Sequence, residues 1–350
     1  ETPMNNPPVT VLMSVYNGAR YLGEAIDSIL GQTYRDFEFL IIDDGSTDDS
    51  VDIINAYDDP RIRLQQHSNR GLAESLRHGV IDSRGDIIVR ADQDDISHYQ
   101  RFEEQVTYLD QTGSVGLVRT LLEIINANGT TVSGCTGETS LVTSAPRWWF
   151  LWRNIGSHSS AAIRKSVLLE HNLNYRPGMD GVEDFDLWSR MLCHTGFGVI
   201  DKPLVKYRVH PTSLMQTTDK TVQQSRFALV IREGFEAIGM QITASVATEI
   251  AILSGQTLIN PVQYRYVHLI HQLHLIAQAA SCCLEELGEH APARMRAAQF
   301  LEWACYVAPT SPAYALRLLS EAIRYHPRIV FSRQTVILLA NLIKRTRTIG

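Results

Sequence analysis

Apolar and polar positions change their period several times along the chain. Residues 9–15, VTVLMSV, form an apolar run of strand length, and residues 18–34 follow with Leu22, Ala25, Ile26, Ile29 and Leu30 on one helical face. The run FEFLII at 37–42 is again strand-like, so the chain opens with a predicted β-α-β unit. The alternation continues with a helix in STDDSVDIINAY, capped near Ser46 to Asp48, and a short strand around Ile62 to Leu64. A helix in GLAESLRHGVIDS and a strand in DIIVRAD come next. Residues 115–133 predict a β-hairpin turning at NANG, and KYRVH at 206–210 ends another strand. Consecutive branched apolar residues mark strands covered on both faces, as in a parallel sheet. Past about residue 218 the strand signal stops. Helical periodicity, broken at NP (260–261), APT (308–310) and HPR (326–328), then runs to residue 350. The expected architecture is an α/β domain over residues 9–218, with a mostly parallel central sheet flanked by helices, and an α-helical extension over 219–350.

Two of the predicted strands stop abruptly on acids. FLIIDDGSTDDS ends its apolar run on Asp43 and Asp44, and DIIVRADQDD delivers Asp92, Asp94 and Asp95. Ligands of open α/β sheets bind just outside the carboxyl ends of strands, which makes these carboxylates candidates to hold one. A turn with an Asp N-cap uses the same residue types, and at 43–50 the two readings stand level. An Asp-x-Asp with no neighbouring His or Cys suits a hard divalent cation that keeps waters and shares a phosphate; the alternative is a solvated acidic turn. Neither GxxxxGK[ST] nor a GxGxxG after the first strand is present, so a bound nucleotide would be held by other means. Glu183 and Asp184 open a helix whose Leu187, Trp188, Met191 and Leu192 face a core. Acids in a first turn meet the helix dipole favourably, and the same dipole keeps a carboxylate ionised and ready to accept a proton. His210 closes the KYRVH strand, although a lone histidine is more often structural.

Composition narrows the classes of function. The chain has 350 residues, 44% of them hydrophobic, a formal charge of −6 and a pI near 6.1, which fits a large core and argues against a nucleic-acid partner. Cys135, Cys193, Cys282, Cys283 and Cys305 are odd in number and form no CxxC pair, as expected of thiols in a reducing compartment. The sequon at Asn128 carries no weight in that setting. No run approaches the roughly 18 apolar residues of a membrane span, and ETPMNNPP lacks a signal-peptide core. The expected setting is the cytoplasm, with peripheral contact at the inner face of the membrane left open.

The segments SVYN, SILGQTYRDFEFLIIDDGSTDDS, NRGLAESLRHGV, GDIIVRADQDDIS, VEDFDLWSRM and KYRVHPTSLM occur in this order over residues 9 to 215. Together they resemble the inverting family 2 glycosyltransferases, which have the GT-A fold. The resemblance implies a UDP-sugar donor, a Mg²⁺ or Mn²⁺ ion, a saccharide or lipid-linked acceptor, and a role in surface polysaccharide or glycoconjugate synthesis. It implies that Tyr16 lies against the nucleobase with Ser14 and Val15 nearby, that Asp44 bonds the uracil and that Arg70 supports the base. Asp92-Gln93-Asp94 resembles the family's D-x-D, with Asp92 by the nucleotide and Asp94 the direct metal ligand. Asp184 matches the catalytic base, and His210 matches a histidine near the metal and diphosphate.

Two readings of other classes use the same features. A sugar nucleotidyltransferase would release pyrophosphate instead of UDP, and a non-catalytic sugar-nucleotide binder would not need Asp184. Arg119 departs from the family pattern, in which glycine is common at that place. Trp148, Trp149 and Trp152 fall where the resemblance puts the acceptor; they either stack on a sugar or, the commoner fate, enter a core. His268, His271 and His274 lack a companion acid and predict no metal site. From residue 291 onward, basic residues from Arg294 to Arg347 outnumber Glu302 and Glu321, and 335–348 joins an apolar stripe to a basic end. Such a helix suits a membrane interface, the flank of the catalytic domain or a homodimer contact.

Overall fold

The computed structural model describes residues 7–133, 143–253, 269–286, 293–307, 312–332, 334–335 and 338–339. The chain divides into two compact units, Glu1–Thr143 with Gly156–Thr218, and Ser144–Ile155 with Asp219–Gly350.

Nine strands build the first unit among the described residues: β1 (Val9–Val15), β2 (Phe37–Asp43), β3 (Ile62–Gln66), β4 (Ile87–Ala91), β5 (Ile96–Ser97), β6 (Val115–Asn126), β7 (Thr131–Ser133), β8 (Ala161–Arg164) and β9 (Gly196–Val209). They form one sheet in the order β3-β2-β1-β4-β8-β6-β9-β5, with β7 paired to β6. From β3 to β4 all neighbours are parallel, as the βαβ pattern requires. β8 then inserts antiparallel between β4 and β6, β9 runs parallel to β6, and β5 and β7 add antiparallel edges. The α/β architecture is as expected, but the sheet is mixed. The reason is physical: an unbroken apolar run reports burial on both faces and says nothing of strand direction, so AAIR of β8 reads the same either way round.

The core of this unit lies on both sides of β1. One face, Val9, Val11, Met13 and Val15, packs with Leu22, Ala25, Ile26 and Ile29 of the helix Ala19–Leu30. On the other, helix Leu72–Asp82 lies close enough that a Cβ on Gly79 would overlap Leu12 and stand 2.9 Å from Cδ1 of Ile42. Glycine costs a helix interior about 1 kcal/mol relative to alanine, whereas overpacking costs about 1–3 kcal/mol, so close packing decides the residue. The hairpin of β6 and β7 turns where NANG predicts: Gly129 has φ +79°, and Asn126 Oδ1 accepts from the N–H groups of Asn128 and Thr130.

The second unit is helical, with Lys220–Ala237, Ala244–Leu253, Leu269–Glu286, Ala293–Val307 and Pro312–Tyr325 joined by the short helix Pro146–Phe150. Trp152 is its hub, with ring centroids 5.3 Å from Trp148, 5.2 Å from Phe235 and 5.3 Å from Trp303. Trp148, Trp149 and Trp152 are all buried, so these tryptophans are core residues and the sugar-stacking alternative falls. Arg296 donates to Ser281 Oγ at 2.5 Å and lies over the Tyr325 ring. Cys135, Arg333 and the basic end Lys344, Arg345 and Arg347 lie outside the described residues, as do His268 and the side chains of His271, His274, Arg294, Glu302 and Cys305. Among the described residues no helix is long and apolar enough to cross a membrane.

Candidate active site

Where β1 ends, the chain turns at Asn17, whose φ is +47°, and enters the helix Ala19–Leu30. The first N–H groups of a helix have no partner within it. Here residues 46–50 hold both the turn and the helix start: Ser46 Oγ accepts from Asn17 N at 3.0 Å, Ser50 Oγ from Gly18 N at 2.9 Å and Asp48 Oδ2 from Ala19 N, the first of the helix, at 3.1 Å. In return Asn17 Oδ1 accepts from Thr47 N at 2.8 Å. Ser46 therefore serves the neighbouring turn, and Asp48 serves both that turn and, through Oδ1, the N–H of Ser50 at 3.1 Å, where the helix expected to be capped near these residues starts.

Asp43 and Asp44 are each 2% exposed. Asp43 accepts from Ser46 N at 3.2 Å and closes its own turn. Asp44 reaches the Asn69-Arg70-Gly71 turn, accepting from Arg70 N at 2.8 Å through Oδ1 and from Gly71 N at 2.9 Å through Oδ2, with His67 Nδ1 3.2 Å away. A carboxylate offers about four lone-pair sites, so these ties fix its orientation and leave it able to accept a further donor. The turn depends on glycine: Gly45 and Gly71 have φ of +78° and +92°, and a Cβ on Gly45 would stand 2.7 Å from Asn69 N. Asp180 Oδ1 accepts from Ala73 N at 2.9 Å, linking the start of the helix Leu72–Asp82 to the loop before Asp184. Tyr16 is 47% exposed, so its ring has a free face, while the side chain of Val15 is wholly in the core. Val15 meets the site only through its carbonyl, which accepts from Asp44 N at 2.8 Å.

The acids after β4 rest on buried cations. Arg90, 1% exposed, donates to Asp92 Oδ1 at 2.5 Å, and buried Arg101 donates to the Arg90 carbonyl at 2.7 Å. Asp94 Oδ2 lies 2.7 Å from His210 Nε2, which joins the end of β4 to the end of β9. The imidazole packs on the Tyr21 ring with centroids 4.9 Å apart. Arg208 is buried beside it, donating its backbone N–H to Asp95 Oδ1 and its Nε to the Asp94 carbonyl, both at 2.8 Å. Burial and then the charge of Asp92 raise the Asp94 pKa, against the pull of His210; burial, Asp94 and Asp92 hold Asp95 well above the usual carboxylate range.

Asp184 arrives from another element, the first turn of the helix Glu183–Met191. Its neighbours are committed to the fold. Buried Glu183 accepts from Gly181 N at 2.6 Å and sits 3.2 Å from His158 Nδ1, whose Nε2 is 2.9 Å from the Tyr175 hydroxyl. Asp186 is held by Arg176 and by Arg190, the latter at 2.6 Å. Asp184 is half-buried, and its Oδ1 accepts from Phe185 N at 2.7 Å. The pKa of Tyr207, half-buried in β9, is pushed up by desolvation and then by the charges of Asp95, Asp92, Asp94 and Asp184. Arg119, the departure noted in β6, is buried between β8 and β9.

A mixed sheet flanked by helices, with acids at the ends of β2 and β4, is a GT-A-like fold. Residues 10–171 match the family described as Glycosyl transferase family 2. The chain is 38% identical over 215 residues to the putative glycosyltransferase EpsE of Bacillus subtilis, covering 60% of this chain and 75% of that protein. It is 29% identical over 219 residues to the O-antigen biosynthesis glycosyltransferase WbnJ of Escherichia coli, covering 60% of this chain and 82% of that protein. The chain belongs to glycosyltransferase family 2. Its fold is similar to that of S. aureus TarS, solved with UDP-GlcNAc, with a TM-score of 0.58, 15% identity and 91% of each chain covered. It is also similar to the mannosyltransferase PcManGT of Pyrobaculum calidifontis, solved with GDP-Man and Mn²⁺, with a TM-score of 0.52, 17% identity and 94% and 89% of the two chains covered.

Proposed function

We propose that the enzyme transfers a sugar from a UDP-sugar to an acceptor hydroxyl with inversion, in the synthesis of a surface polysaccharide or glycoconjugate. The observation that carries this reading is the 2.7 Å contact of Asp94 Oδ2 with His210 Nε2, which brings the Asp-x-Asp after β4 to the histidine at the end of β9. Family membership displaces the nucleotidyltransferase and the non-catalytic binder.

In this reading Tyr16 stacks on the base, Asp44 accepts the ring N–H of uracil, and Arg70 and Ser14 line the same end. Asp184 takes the proton of the acceptor hydroxyl as its oxygen attacks the anomeric carbon. The bond from that carbon to the diphosphate oxygen breaks on the opposite face, so an α-linked donor gives a β-linked product without a covalent intermediate. Asp184 stands in the first turn of its helix, an end whose dipole favours a carboxylate. Asp94 and His210 would hold Mg²⁺ or Mn²⁺: their donor atoms are already a hydrogen bond apart, and the Asp94 pKa, raised by burial first and then by the charge of Asp92, marks a carboxylate that a cation would help to ionise. When bound, such an ion acts as a Lewis acid on the departing diphosphate. Asp92, already paired with Arg90, stays beside the nucleotide. A saccharide or lipid-linked acceptor would be met in the cytoplasm, with peripheral membrane contact or a homodimer through the C-terminal helices as part of the same reading.

The test is a panel of UDP-sugars assayed for UDP release with and without Mn²⁺ or Mg²⁺, alongside calorimetry with UDP and GDP. UDP should bind about tenfold or more tightly than GDP, because a pocket that pairs a ring donor leaves buried groups unpaired with the wrong base. Equal affinities would overturn the uridine assignment.

A further inference from the structure

The middle residue of Asp92-Gln93-Asp94 faces a different wall of the crevice from its neighbours. Gln93 Oε1 accepts from Tyr16 N at 2.9 Å, and Gln93 Nε2 donates to Tyr16 O at 3.2 Å. One side-chain amide thus pairs with both backbone polar groups of one residue, as a strand neighbour would. The two segments leave adjacent parallel strands, where Met13 stands opposite Ala91. This pairing continues the β1–β4 ladder beyond its last strand bond by means of a side chain.

Gly18 supplies the second, independent sign. A Cβ there would stand 2.5 Å from Gln93 Oε1 and 2.6 Å from Cδ, so any side chain at 18 would push the amide out of this position. The backbone φ of Gly18 is −101°, which any residue adopts, so the glycine answers to space and not to conformation. The loop at 46–50 holds the same turn from its other side through Asn17, Gly18 and Ala19.

We propose that Gln93 is a positioning residue: it holds Tyr16 at a fixed distance from Asp92 and Asp94, so that aromatic face and acid pair keep one spacing for a nucleoside diphosphate. The functional half rests on the uridine reading above; the geometric half does not. An alanine at 93 would leave both acids in place and release Tyr16, and glutamate would set an oxygen against the Tyr16 carbonyl and add charge beside the two acids.

Two readouts on the full chain test this. Hydrogen exchange of the Tyr16 amide without nucleotide is expected to be slow in the wild type and about tenfold or more faster in Q93A and G18A, the scale of one lost hydrogen bond. Calorimetry with UDP and Mn²⁺ is expected to show about tenfold weaker binding in both variants. The Q93A/G18A double variant should match Q93A alone, because the clash at residue 18 disappears with the amide. Melting of Q93A should follow the wild type. Unchanged exchange in Q93A, a G18A penalty that persists undiminished in the double variant, or loss of the melting transition in Q93A each overturns the proposal. Should the wild type bind no UDP, the uridine reading falls, and the exchange result still decides on Gln93.

Discussion

Asp184→Asn should lower sugar transfer by about 10²–10⁴, the usual worth of a positioned general base, while UDP-sugar affinity stays within about twofold. The amide keeps the shape of the carboxylate and can still accept from Phe185 N, but it cannot take a proton from the attacking hydroxyl. No neighbour can substitute. Glu183 is engaged with Gly181 and His158, and Asp186 with Arg176 and Arg190. In the proposed reading donor binding rests on the ends of β1, β2 and β4, which the substitution leaves alone. Single-turnover kinetics with calorimetry separates the two quantities. Near-normal turnover in this variant would remove Asp184 from the base role.

Asp94→Asn should act on the other half of the reaction, weakening Mn²⁺-supported UDP binding by about 10–100-fold or more, since even the outer partners of metal ligands carry effects of that size. His210→Ala should do the same to a smaller extent, because imidazole and carboxylate share the position. Burial and Asp92 raise the Asp94 pKa, so the ionised acid is held against its own electrostatics and its neutral replacement should not unfold the protein. Stability and ligand response therefore separate. In the wild type, Mn²⁺ with UDP at 100 times the dissociation constant should add about 2.7 kcal/mol of stability by mass action, and Asp94→Asn should lose most of that gain. Unchanged UDP affinity in the presence of Mn²⁺ would contradict the role given to Asp94.

Local patterns carried far into the fold. VTVLMSV gives β1 with both its ends, the NANG hairpin forms where Gly129 requires it, and the acids at 43–44 and 92–95 do stand at the ends of β2 and β4, the strands on either side of β1. What escaped the sequence depends on distant pairs. Gln93 and Tyr16 are 77 residues apart, and Asp180 and Ala73 are 107 apart, so neither tie has a local signature. His67, Arg90 and Arg208 were equally hidden, as polar residues inside segments whose periodicity only announced strand or turn. The helix Ser50–Asn55 starts just past the predicted caps: Ser46 is claimed by the neighbouring turn, while Asp48 divides its two oxygens between Ala19 N and Ser50 N. The tryptophans at 148–152 could stack or pack, and only the partners Phe235 and Trp303 decide between them.

Inversion at the anomeric carbon is the central claim, and proton NMR of the sugar first released from an α-linked UDP-sugar with Mn²⁺, water standing in for the acceptor, tests it directly. UDP together with the β-anomer, appearing before mutarotation mixes the two forms, is the predicted result. The α-anomer first, or pyrophosphate in place of UDP, would contradict it.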